Sequence, residues 1–148
     1  MGLPPAGLSP AVLVDIDGTV ALHGDRDPYD TSRYHEDAVN EAVVTAVAAL
    51  QSTGHCVLFC SGRDEKFRKV TMQWLHEKIL WPLGIMPVNL YMRPEGDTRR
   101  DDVVKLELFD QWIRDRYTVT CVFDDRDRVV KAWRGIGLTV LQVAEGNF

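Results

Sequence analysis

The fold is decided by residues 11–19, AVLVDIDGT, in which an apolar run is followed at once by two carboxylates, a glycine and a threonine. Such a run, bounded by turn residues, is typical of a strand buried on both faces of a parallel sheet. Side chains two apart on an extended segment point the same way, so Asp15 and Asp17 are predicted to face one site while Ile16 faces the core. Two carboxylates this close repel unless a cation lies between them or one stays protonated. The stretch therefore predicts a buried strand that ends at a candidate Mg²⁺ site.

Apolar runs and helical patterns alternate along the rest of the chain. Strands are predicted at residues 11–14, 55–60, 88–92, 118–123 and 138–142, and helices at residues 36–51, 64–80, 102–116 and 127–134. This alternation indicates right-handed βαβ crossovers. We therefore expect an α/β fold with a Rossmann-like, mostly parallel five-stranded sheet flanked by helices. Residues 1–10 are predicted to be an N-terminal extension, and residues 11–148 a single domain.

Composition limits the function classes. The chain has 148 residues, is 45% hydrophobic and carries a net charge of −5, as expected of an ordinary globular domain. A protein that coats nucleic acid nonspecifically should be basic, so that role is disfavoured, although a few local cations could still recognise a nucleic-acid end. The sequence shows neither a membrane-spanning run nor a signal peptide, and its three cysteines lie in apolar runs. We expect a cytoplasmic protein with reduced thiols and no membrane partner.

The second predicted strand is followed by Ser61, Gly62 and Arg63, directly before the predicted helix at 64–80. Free backbone N–H groups and the helix dipole favour an anion at such a junction, and an arginine guanidinium matches a phosphate. An ordinary helix cap, by Ser61 or Asp64, would produce the same pattern. With two carboxylates predicted at the same edge of the sheet, phosphate binding is the favoured interpretation.

Charged residues also lie near the ends of the later strands. Lys105 lies four residues after Asp101, which indicates either an exposed ion pair on a helix or a lysine that binds phosphate while Asp101 orients a neighbouring cation. Asp124 and Asp125 end the fourth strand, where adjacent acids repel unless a metal binds. Capping of the next helix by Asp125 or Asp127 is the alternative. We expect at least one of the Asp124–Asp125 pair to be a metal ligand.

These residues resemble a known superfamily. DIDGT at 15–19, Ser61, Lys105 and the Asp124–Asp125 pair occur in the order of the four motifs of the haloacid-dehalogenase-type phosphohydrolases. Four longer stretches are similar to the 3′-phosphatase domain of phage-type polynucleotide kinase/phosphatases: DIDGTVALHGDRDPYD, CSGRDEKFR, MRPEGDTRRDDVVK and FDDRDRVVKAWRGIGL. The 5′-kinase part is not expected within these residues, because the sequence contains no GxxxxGK[ST] phosphate loop.

The resemblance implies specific roles. Asp15 would be the nucleophile that forms an aspartyl-phosphate, and Asp17 the general acid that protonates the leaving 3′-oxygen and later activates water. The resemblance also implies a Mg²⁺ ion held by Asp15, the backbone carbonyl of Asp17, and Asp124 and Asp125. The residues expected to bind substrate are Thr19, Arg26, Ser61, Gly62, Arg63 and Lys105, with Asp101 in support.

The predicted function is removal of terminal 3′-phosphate from DNA or RNA ends, with a separate kinase or ligase as a possible partner. The segments between motifs are too short for a cap domain, so an open site is expected, with Arg26, Arg93, Arg99 and Arg100 as candidate flanking cations. One alternative is a small-molecule phosphatase or nucleotidase of the same superfamily. Another is a non-catalytic module, either receiver-like or binding phosphorylated ends. The receiver order places an acidic pair before the phosphorylated aspartate, whereas here that pair comes last.

Overall fold

The computed structural model describes residues 7–85 and 89–148 of the chain. Its strands are β1 (Ser9–Val14), β2 (Ala21–Leu22), β3 (Ala38–Val39), β4 (Cys56–Asp64), β5 (Asn89–Arg93), β6 (Tyr117–Asp124) and β7 (Val140–Gln142). Its α-helices are α1 (Glu41–Ser52), α2 (Arg68–Leu75), α3 (Trp81–Leu83), α4 (Asp101–Leu108) and α5 (Asp127–Gly135). Short 3-10 turns cover Thr31–Glu36 and Glu65–Phe67, and π-helical turns cover His76–Leu80 and Phe109–Ile113.

Five strands form one parallel sheet in the order β5-β4-β1-β6-β7. The central strand, β1, pairs Val14 with Phe59 of β4 on one side and with Phe123 of β6 on the other. Because β1 and β6 are in register at Val14 and Phe123, Asp15 follows directly beside Asp124, and its backbone N–H donates to the carbonyl of Phe123 at 2.9 Å. The predicted α/β fold with a five-stranded parallel sheet is confirmed.

The two faces of the sheet carry separate apolar cores. On one face Val12, Val14 and Ile16 pack with residues of α1 and α2. On the other face Ala11 and Leu13 pack with residues of α4 and α5. Alternate residues of β1 therefore enter opposite cores, as the sequence predicts, and Ile16 is fully buried.

The helix predicted at residues 36–51 begins later than expected. It starts at Glu41, because Ala38 and Val39 instead pair antiparallel with Ala21 and Leu22. The first strand begins at Ser9, two residues inside the predicted N-terminal extension. Residues 1–6 of that extension and Val88 of the third predicted strand lie outside the described residues.

The prediction that Ser61, Gly62 and Arg63 open a helix is wrong. They continue β4, which extends to Asp64 with an irregular register against β5 between Ser61 and Asp64. Asp64 is the residue that caps the following turn, accepting from the backbone N–H of Lys66 at 2.9 Å. The anion-binding geometry of a helix N-terminus is therefore not available to Ser61.

The connections contain little beyond the sheet and its helices. Between β1 and β4 lie the small β2–β3 pair, a 3-10 turn and α1, and between β4 and β5 lies one helical segment. No cap domain occurs within residues 7–85 and 89–148, as predicted. In the same described ranges no helix is long and apolar enough to cross a membrane.

The three cysteines are free, as expected, with Cys60 and Cys121 buried. Burial raises the pKa of the Cys60 thiol to about 12, so this group is an unreactive core side chain.

Candidate active site

The predicted catalytic residues meet at the carboxyl ends of β1, β4 and β6, where open parallel sheets place their ligands. Most of the side chains brought together there are buried: Asp15, Thr19, Ser61, Arg63, Lys105, Asp124 and Asp125. The side chain of Asp17 is the exception, because it is 42% exposed. The site is therefore a buried, charged floor whose opening to solvent is marked by Asp17.

Lys105 contacts the carboxylates that follow β1 and end β6. From α4, its ammonium group donates to Asp15 Oδ1 at 2.8 Å and to Asp124 Oδ2 at 3.1 Å. Burial alone lowers the pKa of Lys105, but the carboxylates of Asp124 and Asp15 outweigh burial and raise it well above its ordinary value. Lys105 is therefore a permanent cation at the floor of the site, and the alternative of an exposed ion pair with Asp101 is wrong.

One lysine does not offset the acidic charge gathered here. Carboxylate oxygens of Asp15, Asp124 and Asp125 lie within 4.8 Å of one another. Burial raises the pKa of Asp15 well above its usual range, and the Asp124 carboxylate raises it further. Burial likewise raises the pKa of Asp125. Three buried, crowded, hard oxygen donors fit a Mg²⁺ ion, which would remove the cost of ionising them together.

The two acids of the Asp124–Asp125 pair differ in how their oxygens are used. Asp124 Oδ1 accepts from the backbone N–H of Asp125 at 2.9 Å, and its Oδ2 accepts from Lys105 and from the Trp133 indole at 3.4 Å. Asp125 approaches Gly18 so closely that a Cβ at that position would overlap its carboxylate, and Gly18 also has a φ of +78°. Asp125 has more free acceptor capacity, so it is the stronger candidate for direct metal contact.

Thr19, a residue expected to bind substrate, contacts the nucleophile candidate. Its fully buried hydroxyl donates to Asp15 Oδ2 at 2.9 Å and lies 3.5 Å from Asp125 Oδ1. With Lys105 on Oδ1 and Thr19 on Oδ2, both oxygens of Asp15 are fixed in direction. The geometry therefore favours a positioning role for Thr19.

Arg63 lies against Asp17 and points its donors at protein acceptors. Its Nε donates to Asp17 Oδ2 at 2.9 Å and its Nη2 to Asp17 Oδ1 at 2.7 Å, while Nη1 donates to Thr71. The guanidinium also lies 3.6 Å from the ring centre of Tyr34. This two-point contact fixes the carboxylate of the general-acid candidate, in addition to any contact with phosphate.

Sequence reasoning missed Asp37, a buried carboxylate that ties two arginines together. Arg26 donates to both of its oxygens, at 2.7 Å and 3.0 Å, and Arg63 donates to Oδ2 at 3.3 Å. The Trp74 indole donates to the Asp37 backbone carbonyl at 2.9 Å. The residue falls inside a stretch predicted as helix, and no local pattern distinguishes it.

The structure does not favour Arg26 as a flanking cation. Besides its contacts with Asp37, Nη1 donates to the backbone carbonyls of Asp27, Pro28 and Asp30. The side chain is buried, and Nη2 lies 3.8 Å from Asp17 Oδ1. Arg26 therefore organises the loop after β1 from a position beside the general-acid candidate.

Asp101, the first residue of α4, lies against Gly62 at the edge of the site. It accepts from Arg93 at 2.7 Å and from Arg126 at 3.2 Å, and its carboxylate occupies the place where a Cβ on Gly62 would lie. The carbonyl of Gly62 accepts from Arg93 at 2.7 Å. Gly62 thus permits a close approach of Asp101, which orients Arg93 and Arg126.

The other candidate flanking cations, Arg99 and Arg100, are exposed but paired. Arg99 contacts Asp97 at 2.7 Å and Glu107 at 2.6 Å, and Arg100 contacts Asp102 at 2.6 Å. Exposed pairs of this kind exchange readily with other ligands because each contributes little free energy.

Comparison with known families agrees with this geometry. Residues 9–148 match the family model described as the polynucleotide kinase PNKP phosphatase domain. The chain belongs to this phosphatase family. The match extends over almost all of the chain. It confirms the resemblance to haloacid-dehalogenase-type phosphohydrolases that the four motifs indicate.

Two relatives of this PNKP-type domain are similar along most of its length. A putative bifunctional polynucleotide kinase/RNA ligase from Autographa californica nuclear polyhedrosis virus is 38% identical over 136 residues, which are 90% of this chain and 19% of the relative. A chain in the structure of a Pnkp1/Rnl/Hen1 complex is 34% identical with a TM-score of 0.87, covering 97% of this chain and 48% of that one. The chain thus spans less than half of either relative.

More distant structures share the fold. A D,D-heptose 1.7-bisphosphate phosphatase from B. bronchiseptica, complexed with magnesium and phosphate, is 18% identical with a TM-score of 0.62. The structural match covers 95% of this chain and 83% of that phosphatase.

We expect Asp37→Asn to lower the free energy of unfolding by about 3–5 kcal/mol, because it removes the charge that compensates two buried guanidinium groups. Chemical denaturation with a fluorescence readout measures the change. Asp25→Asn is the matched control, because Asp25 is exposed and lies 3.5 Å from Arg33. Equal stability of the two variants would contradict the role given to Asp37.

Proposed function

We propose that the chain removes terminal 3′-phosphates from DNA or RNA by Mg²⁺-dependent aspartyl-phosphate chemistry. The exposure of Asp17 carries the proposal. The acid that would protonate the leaving oxygen lies at the opening, while the nucleophile lies on the buried floor. A phosphate bound on the floor would therefore direct its leaving group outward, where no cap domain of the described residues would block a polymer.

In the first step, an Asp15 carboxylate oxygen attacks phosphorus and forms an acyl phosphate, while the bond to the 3′-oxygen breaks. Lys105 and Thr19 hold the Asp15 carboxylate in one orientation, which reduces the entropy lost on reaching the transition state. The leaving 3′-oxygen takes a proton from Asp17, whose carboxyl group is aligned by Arg63.

In the second step, Asp17 accepts a proton from a water molecule that attacks the phosphoryl group. Inorganic phosphate leaves and the Asp15 carboxylate is restored. Ser61 and Lys105 line the floor from β4 and α4, so they are the groups that would contact the phosphoryl oxygens.

The residues that would hold Mg²⁺ are Asp15, Asp125, Asp124 and the backbone carbonyl of Asp17. When bound, the ion would neutralise charge on the transferring phosphoryl group and offset the crowded carboxylates. Asp124, whose oxygens are shared with Lys105 and Trp133, would also orient its neighbours.

The similar proteins support nucleic-acid ends as substrates and a kinase or ligase as a partner. One relative is named as a polynucleotide kinase/RNA ligase, and the similar solved chains come from Pnkp1/Rnl/Hen1 complexes, one of them described as an RNA repair complex. We propose that this chain supplies the phosphatase step of such end repair.

A comparison of substrates tests the proposed function. With Mg²⁺ present, kcat/KM should be higher for a 3′-phosphorylated oligonucleotide than for a 5′-mononucleotide or a small aryl phosphate. The leading alternative, a small-molecule phosphatase, predicts that 5′-mononucleotides are best and that chain length brings no gain. Absence of phosphate release from every substrate would favour the non-catalytic module.

We expect activity to disappear in excess chelator and to return with added Mg²⁺, because Lys105 alone leaves the acidic cluster under-compensated. Fluoroberyllate, which mimics a phosphoryl group on a carboxylate, should inhibit only when Mg²⁺ is present. Phosphate release assays measure both effects. Full activity in chelator would contradict the metal roles of Asp124 and Asp125.

A further inference from the structure

A cleft with no role in the chemistry lies between the beginnings of α4 and α5. Its volume is about 480 Å³, and its lining residues are Arg100, Asp102, Asp127, Arg128, Lys131 and Ala132. Arg128 and Lys131 are three residues apart on α5, so they lie on one face, while Val129, Val130 and Trp133 enter the core.

Both sides of the cleft are lined by residues that lie one or two positions in sequence from residues of the active site. On α4, Asp101 belongs to the site, whereas its chain neighbours Arg100 and Asp102 line the cleft. At the start of α5, Arg126 lies between Asp125 of the site and Asp127 of the cleft. Asp101 and Arg126 form a 3.2 Å ion pair, so the residues next to the cleft on α4 and α5 are joined to each other at the site.

The cleft contains two cations without an ion-pair partner in the described ranges and one carboxylate, Asp127, whose partner is a neutral amide. Asp102 is paired with Arg100 at 2.6 Å, and Asp127 accepts from the Gln142 amide at 2.7 Å. Arg128 and Lys131 are exposed and form no ion pair or side-chain hydrogen bond with any part of the chain that the structure describes. Helices α4 and α5 both begin here, so their dipoles add to the positive potential.

We infer that this cleft binds the first phosphodiester on the 5′ side of the terminal nucleotide, with Arg128 and Lys131 as its cations. The inference rests on the proposed function and adds a specificity site to it. A polymer whose terminal phosphate enters the floor carries its next phosphate one nucleotide away, and the residues that line the cleft begin one or two positions from Asp101 and Asp125 of the site. In a chain of net charge −5, phosphate contacts have to be local, and this cleft offers two cations without an ion-pair partner among the described residues.

A charge reversal tests the inference on the purified chain. For Lys131→Glu, kcat/KM should fall about tenfold for a 3′-phosphorylated trinucleotide but much less for a nucleoside 3′-monophosphate, which lacks the phosphodiester. The dependence of log kcat/KM on log salt should also become shallower by about 0.7 for the trinucleotide, as expected when one phosphate contact of a single strand is lost.

Lys78→Glu is the matched control. Lys78 is exposed on the π-helical turn His76–Leu80, at the end of a helical segment that runs from the carboxyl edge of the sheet to the other edge. Lys78→Glu changes the net charge by the same amount as Lys131→Glu. Its ratio of trinucleotide to monophosphate turnover should match that of the wild type. Arg128→Glu should behave as Lys131→Glu does.

The outcomes separate this inference from the proposed function. A wild-type chain without preference for the trinucleotide over the monophosphate would contradict the proposed function. A wild-type preference that survives in Lys131→Glu and Arg128→Glu, or that falls equally in Lys78→Glu, would overturn the cleft assignment alone. A cleft that serves a protein partner gives the same surviving preference and overturns it too.

Discussion

Asp15→Asn is expected to lower kcat at least about 10⁴-fold, because an amide cannot attack phosphorus to form the acyl phosphate. The change also removes a negative charge that Mg²⁺ would bind. Steady-state phosphate release from a 3′-phosphorylated oligonucleotide measures the loss, with the sensitivity set by the blank reaction.

The Asp15→Asn variant should remain folded, which keeps this result interpretable. Lys105 retains Asp124 as a partner at 3.1 Å, and Thr19 can donate to the amide oxygen in place of the carboxylate. Removing one of three crowded carboxylates also relieves repulsion. Circular dichroism and a thermal melt provide the control. Turnover within tenfold of the wild type would exclude the covalent mechanism.

Asp17→Asn is expected to lower turnover of a 3′-phosphorylated oligonucleotide about 10²–10⁴-fold, the usual contribution of general acid–base catalysis. An alkoxide leaves poorly without a proton, whereas nitrophenolate leaves well without one. The first step with p-nitrophenyl phosphate should therefore be affected less than the first step with the oligonucleotide.

Rapid mixing of Asp17→Asn with p-nitrophenyl phosphate separates the two roles of Asp17. We expect a burst of nitrophenolate, close to one per site, followed by slow turnover, because the acyl phosphate then lacks its general base. Asp27→Asn is a control in the same loop, since Asp27 is exposed and its side chain accepts from the Tyr29 backbone N–H at 2.9 Å. A slow reaction without a burst would contradict a role for Asp17 that is confined to proton transfer.

The sheet and the acidic cluster were predictable because their signals are local. The run 11–14 followed by DIDGT predicts both a buried strand and the candidate catalytic residues at its end. Parallel strands end at one edge, so Asp15 and Asp124 were expected to meet although they are far apart in sequence. Their meeting with Lys105 follows from the same topology and is seen as two short contacts.

The arginine network was not predictable, because its partners share no pattern. Asp37 joins Arg26, eleven residues away, to Arg63, twenty-six residues away. Only the folded loop after β1 brings them together. Apolar residues around Asp37 suggested helix, yet Ala38 and Val39 form a short strand with Ala21 and Leu22, so tertiary pairing overrode the local signal.

Thr19 and the SGR segment show a second limit of sequence reasoning. A hydroxyl after a DxD stretch can contact substrate or a neighbouring carboxylate, and the choice depends on side-chain direction, which periodicity does not specify. For Ser61–Arg63, pairing with β5 extends the strand beyond its apolar run. The helix signal in the following residues placed the boundary too early.

One oligonucleotide carrying both a 5′-phosphate and a 3′-phosphate tests the central claim most directly. After incubation with the chain and Mg²⁺, ion-exchange separation and partial nuclease digestion identify which end has lost phosphate. The account predicts loss of the 3′-phosphate alone, with both phosphates retained in chelator and with Asp15→Asn. Removal of the 5′-phosphate at an equal or greater rate, or release of either phosphate by Asp15→Asn, would contradict it.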